Sequence, residues 1–183
     1  SSIDLMFLWF LSSLISFGLL VVLPKHYELI LKNDKSESMK NMILTMYIFF
    51  PCPFIRGAIS ELQSLGRRFT MVIGFSGAAI FSFMSFISES NLFVYTGLLN
   101  FFINISLGVV GVYTSEFYDT LLRSGALGMG NAFTRIGGIT APFLVNFSDK
   151  IMYKGSFFAF TVFSVIGVIF SFLLKETRDL KIR

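Results

Sequence analysis

Apolar residues come in long runs along this chain, and the polar residues between them come in short bursts. A helix that crosses a bilayer needs about 20 predominantly apolar residues. Six runs approach that length: Leu5 to Pro24, Asn41 to Leu62, Phe69 to Ile87, Leu92 to Phe117, Ser124 to Phe147 and Ser156 to Leu174. The first closes at Pro24-Lys25-His26 and leads into the polar loop KNDKSESMK, residues 32–40. The burst Gly66-Arg67-Arg68 parts the second run from the third, SESN follows the third, and Asp149 to Lys154 separates the fifth from the sixth. Polar faces, which a soluble helical core of this size needs, are missing. The pattern therefore predicts an all-α, multi-pass membrane protein.

Composition agrees. Of 183 residues, 54% are hydrophobic and 14% charged, with 24 Phe and a mean hydropathy of +0.74; an ordinary soluble domain is about a quarter charged. The net charge of +4 says little about partners, because the basic residues flank apolar runs where lipid headgroups account for them. The lipid bilayer is an expected partner and nucleic acid is not. One Cys (Cys52) and one His (His26) make neither a metal site nor an internal disulfide, and no cofactor is implied. No basic region precedes the first run, so it does not read as a signal peptide. The chain is expected to start after a removed targeting segment or a missing upstream part.

With six crossings, Arg67, Arg68, Arg123, Lys175, Arg178, Lys181 and Arg183 share one side; Lys25, Lys32, Lys35, Lys40, Lys150 and Lys154 share the other. The first set lies tighter against the apolar runs, which favours that side as cytoplasmic or matrix. The membrane is expected to be a plasma or organelle membrane, the mitochondrial inner membrane included.

Charge and small residues pick out the chemistry. Arg67-Arg68 can hold acidic groups or helix C-termini on adjacent helices, or can simply anchor the loop. Glu116 and Arg123 bracket a short turn and could join Arg67, Arg68 and the tail residue Glu176 in an ionic latch; as a solvated loop, such pairs are worth under about 1 kcal/mol each. The fifth run is dense in small residues: Ser124, Gly125, Ala126, Gly128, Gly130, Ala132, Gly137 and Gly138, while the fourth has Gly108 and Gly111. No strand precedes the glycines, so close helix packing explains them better than a nucleotide loop.

Arg135 lies eleven residues past Ser124, hence roughly 16 Å into the membrane at about 1.5 Å per residue. A charge so deep is a functional-site candidate; pairing with backbone carbonyls or snorkelling is the plainer alternative. Arg56, in the second run, could pair with Glu61 or reach the interface. Asn100 and Asn104 sit one turn apart on one face of the fourth run. Tyr47, Tyr113 and Asn131 are further polar candidates, each explicable as an interhelical hydrogen bond. No arrangement suited to catalysis is present, so an enzyme is not expected.

These residues also carry a resemblance. Gly66-Arg67-Arg68 after a helix containing Pro51 and Pro53, then YTSEFYDTLLRSGALG and TRIGGITAPF (113–128 and 134–143), then Lys175-Glu176-Thr177, resemble in order the C-terminal half of a major facilitator superfamily transporter. The branch most similar holds the organic cation and anion transporters and the synaptic-vesicle-protein relatives. The resemblance implies six transmembrane helices built as two inverted three-helix repeats, half of a major facilitator fold. It further implies a small organic solute moved by alternating access, with a facing six-helix half supplied by a missing N-terminal part, a second copy or another subunit. Arg135 at its position implies an organic anion, with Asn100, Asn104, Asn131, Tyr47 and Tyr113 as further substrate contacts. Arg67, Arg68, Glu116, Arg123 and Glu176 become its gating charges. The chain departs from the family pattern at Gln63 (usually acidic), at Asp119 and Lys175 (usually Pro), and around Phe49 or Phe50, where an acid is lost. Those departures suit an alternative: a degenerate half-transporter kept as a structural subunit of a larger membrane complex.

Overall fold

A computed structural model describes residues 2–30, 40, 43, 66–88 and 92–174. Five helices account for nearly all of them: α1 (Ser2–Ile30), α2 (Arg67–Ile87), α3 (Leu92–Phe117), α4 (Thr120–Ile151) and α5 (Gly155–Leu173). Apart from residue 43, the second apolar run lies outside the described residues, and with it Tyr47, Arg56, Glu61 and Gln63; so do Lys175 and Glu176.

The apolar runs predict the helices well, but α1 runs past its expected end and α4 extends four residues beyond its run at both ends, taking in Asp149. α1 does not stop at Pro24, which lies inside it. Proline removes one amide and crowds the carbonyl four residues earlier, yet membrane helices tolerate it because neighbouring groups can satisfy what it frees. α4 starts at Thr120, before the apolar run, and passes through Pro142. Its first turn closes on Asp119, whose carbonyl accepts from the amides of Leu122 and Arg123 at 2.9 Å each.

Among the described residues, four helices are long and apolar enough to cross a membrane: Ser2–His26 of α1, and all of α2, α3 and α5. The 32-residue α4 falls short on composition, because Arg123, Asn131, Thr134, Arg135 and a string of glycines dilute its apolar residues. It carries the fifth of the expected crossings.

Contacts between helices give their directions. Trp9 near the start of α1 donates its indole N–H to Thr114 near the end of α3, at 3.0 Å, while Lys25 near the end of α1 reaches Asp149 near the end of α4, at 2.8 Å. Ser82 late in α2 donates to the Phe157 carbonyl early in α5, at 2.7 Å. Phe7 stacks on Phe170 with ring centroids 5.6 Å apart, and the α2 N-terminus lies beside the α3 C-terminus through Arg67 and Glu116. Hence α1, α2 and α4 run one way, α3 and α5 the other.

Glycines set how closely these helices approach. A Cβ on Gly137 would lie 2.9 Å from the Phe10 carbonyl oxygen and 3.1 Å from the Leu14 amide nitrogen; one on Gly130 would lie 2.6 Å from the Trp9 ring. Ala126, Gly130, Gly137, Ala141 and Val145 are the buried positions of α4, so small residues face α1 along a single seam. Gly74 and Gly77 do the same for α2 against α3, as Gly167 does against Phe75 and Gly18 against Phe160. Phe75, Phe157, Phe160 and Tyr113 fill the interior. By contrast, a Cβ on Gly125 or Gly128 would meet nothing within 4 Å among the described residues, so those two glycines do not serve packing there.

Gly137→Leu should therefore lower stability by about 1–3 kcal/mol through overpacking against backbone, whereas Gly128→Ala should stay within about 0.5 kcal/mol. Thermal unfolding of the detergent-solubilised protein reads both, and equal effects would contradict the seam.

Candidate functional site

The end of the bundle where α2 starts holds four of the five expected latch residues, Arg67, Arg68, Glu116 and Arg123; the fifth, Glu176, lies outside the described residues. Arg67 faces Glu116 across the α2–α3 interface: Nη2 and Nε donate to Oε1 at 2.9 and 3.2 Å, and Nε also to Oε2 at 3.3 Å. The guanidinium thus meets the carboxylate through its Nε and Nη2 donors together, a geometry that Lys could not copy. Both side chains keep some solvent contact, 20% and 36% exposed, which limits the pair to about 1 kcal/mol or less. Arg68 goes elsewhere. Its Nη2 donates to the Phe172 carbonyl at 2.5 Å, and its guanidinium lies 5.6 Å from the Phe172 ring centre. It thereby supplies a donor and a positive charge to the C-terminal turn of α5, where carbonyls are left without helical partners. Arg123, one turn into α4, has a buried Nε with no hydrogen-bond partner among the described residues.

Midway along α4, Arg135 and Asn131 are exposed, one turn apart on one face. Arg135 makes no hydrogen bond or ion pair among the described residues. Two residues of α-helix turn through about 200°, so Arg135 projects nearly opposite Gly137 and the α1 seam. On α3, Asn100 is buried at 4% exposure and Asn104 is half-buried. The Asn104 amide donates to the Asn100 carbonyl at 2.9 Å and also to its side-chain oxygen. Tyr113 is 1% exposed and stacks on Phe117, its ring in the core rather than on an open face. The polar residues expected to gather in the middle thus divide into an open pair on α4, an amide pair on α3 and a core tyrosine.

A cavity of about 650 Å³ lies between the first turns of α1 and α4, lined by Ile3, Met6, Phe7, Tyr118, Leu122 and Met129 among others. None of the expected polar contacts borders it, and its lining is almost entirely apolar.

At the far end stands a cluster that sequence reading missed. Lys25 donates to Asp149 Oδ2 at 2.8 Å, and the Ser156 amide, in the first turn of α5, donates to Oδ1 at 3.1 Å. Asp149 is 8% exposed, so it ties α1 to α4 and answers a free amide of α5. Burial pushes its carboxyl upward, but the hydrogen bonds from Lys25 and Ser156 and the nearby His26 prevail and hold it below its ordinary 3.8. The signal was faint: Lys25 and Asp149 each close an apolar run at the same side, but pairing them needs the parallel approach of α1 and α4.

The family model described as Major Facilitator Superfamily matches residues 5–182. The chain belongs to that superfamily. A Xenopus tropicalis protein named solute carrier family 22 member 15-like is 31% identical over 194 residues, covering 97% of this chain and 36% of that protein. The zebrafish putative transporter SVOPL is 32% identical over 123 residues, covering 64% and 24%. The niacin transporter NiaP of Acinetobacter baylyi is 29% identical over 168 residues, covering 90% and 37%. These relatives place the chain in the branch of the organic cation transporters and the synaptic-vesicle-protein relatives. The chain spans from about a fifth to just over a third of the length of the curated relatives it matches. Membership of a superfamily of transporters, together with the apolar helices, makes it an integral, multi-pass membrane protein, and points away from an enzyme.

Asp149→Asn should destabilise this major facilitator bundle by about 1–3 kcal/mol, the cost of stranding buried partners, against under about 1 kcal/mol for Glu116→Gln. Because the folded carboxyl titrates below its ordinary 3.8, its contribution is complete above that pH and is lost as pH falls through the lower folded value. Unfolding curves recorded down through that range should lose this acid-sensitive part in Asp149→Asn.

Proposed function

We propose that the chain is the C-terminal six-helix half of a solute transporter, which moves a small organic anion by alternating access against a facing six-helix half. The observation that carries this reading is Arg135: exposed midway along α4, opposite the seam that packs the helix, with no partner among the described residues. An arginine so placed suits a carboxylate arriving from a cavity between two halves, since a guanidinium pairs with both carboxylate oxygens. Asn131 and Asn104 would add polar contacts, Asn100 and Tyr113 would hold the α3 side in place, and Tyr47 would contribute from the second run.

Two features support the six-helix half. α1 and α2 run parallel, and the apolar run Asn41 to Leu62 lies between them in sequence. Two repeats of three, with α1 and α2 antiparallel to α3 and α5, fit the inverted arrangement of transporter folds. The relatives are also much longer than the matched part, which leaves room for a facing half. At the cytoplasmic or matrix end, the Arg67–Glu116 pair, Arg68 on α5, Arg123 and Glu176 would form charges that hold the gate closed and part as it opens.

Uptake into proteoliposomes by the full-length protein tests the site. NiaP is named for niacin, whose carboxylate makes it a suitable probe, with tetraethylammonium as a cationic control. Arg135→Ala should cut niacin uptake about tenfold or more, the loss of about 1.4 kcal/mol or more of charge-assisted binding. Preference for the cation would overturn the anion assignment; no flux of any solute would turn the reading to a structural subunit of a larger membrane complex. For the gate, Arg67→Glu and Glu116→Arg should each lower uptake, and the double exchange should restore part of it.

A further inference from the structure

His26 is the chain's single histidine, its side chain is 3% exposed, and neither ring nitrogen has a hydrogen-bond partner among the described residues. Buried imidazoles are ordinarily satisfied, so an unsatisfied one calls for a reason. Its Nε2 lies 3.7 Å from Asp149 Oδ2, too far for a hydrogen bond. That same oxygen takes the Lys25 ammonium at 2.8 Å. The ring packs against Phe157 at 5.3 Å and edge-on to Tyr153 at 6.3 Å between centres. Among the described residues the other charged group acting on it is Lys154, a buried residue in the turn before α5, while Lys150, next to Asp149 in sequence, is exposed. Two cationic groups, one certain and one titratable, thus converge on a single carboxylate oxygen.

We propose that His26, Asp149 and Lys25 form a proton-binding site in which an uptake of one proton exchanges the partner of Asp149. The neutral imidazole takes a proton from water and gains a second N–H. Its Nε2–H then donates to Asp149 Oδ2, and the Lys25 ammonium, keeping its own proton, leaves that oxygen for water. Lys25 can leave because its side chain is already 40% exposed, whereas His26 cannot. Lys154 remains as a like charge beside the new imidazolium. The ammonium set free lies at the membrane boundary of α1, where it meets lipid headgroups or solvent.

The full-length protein in lipid nanodiscs, labelled with 15N-histidine, tests this by NMR from about pH 4.5 to about pH 8.5, the range in which imidazoles titrate. The His26 signal is assigned by its loss in His26→Gln. Lys25→Gln, at a partly exposed site that keeps the fold, should raise the His26 midpoint by about one unit, about tenfold in proton affinity, because a competing cation is gone. Asp149→Asn should lower it. A His26 signal that does not titrate in this range, or a midpoint that Lys25→Gln leaves within about 0.3 unit, would overturn the proposal. Should Asp149→Asn fail to fold, the Lys25→Gln titration decides alone.

Discussion

The contact on which the rest of this structure depends is the seam where α4 lies against α1. Gly137 brings its backbone against the Phe10 carbonyl, and Gly130 seats the Trp9 indole. In hydrocarbon there is no hydrophobic gain from bringing helices together, so close backbone approach and dispersion carry the association. The seam also consumes the small face of α4. What remains for its other faces is whatever the helix can afford to leave open, and there Arg135, Asn131, Gly125 and Gly128 are found.

From that seam the two ends follow. Because α1 and α4 run parallel, Lys25 meets Asp149 at one end, and Trp9, toward the other, meets both Gly130 and Thr114. The ends differ in physical character. Arg67 and Glu116 pair where solvent screens them, so their link is cheap to break and remake. Asp149 is buried and shared between Lys25 and the α5 amide, with His26 beside it, so any change there reorganises several groups at once. A bundle with one soft and one stiff ionic end suits a molecule in which the two ends act differently.

Much of the molecule was legible beforehand. Runs of apolar residues predict α2 and α3 almost to the residue, since a membrane helix is written in composition over some twenty positions. Arg67 and Glu116 were readable as partners because bursts on one side have few alternatives. Pro24 misled, because its breaking power depends on whether neighbours satisfy the freed carbonyl. Tyr113 misled in another way: polarity alone does not tell a tyrosine in a core from one at a cavity, as both positions bury the ring. Gly125 and Gly128 are no different in sequence from Gly130 and Gly137, yet among the described residues only the latter pair packs against α1.

Composition and motif order alone set the class: an all-helical, multi-pass membrane protein of the major facilitator kind, with most of its charges between the apolar runs and Arg135 set deep. Those properties are local or summed along the chain, so they survive without knowing which helix lies beside which. Only the tertiary structure decided which face of α4 is spent on packing, that Arg68 serves the end of α5 rather than Glu116, and that Lys25 and His26 converge on one oxygen of Asp149. Each of these turns on helix rotation and direction across more than a hundred residues of sequence, and no periodicity along a single segment encodes them.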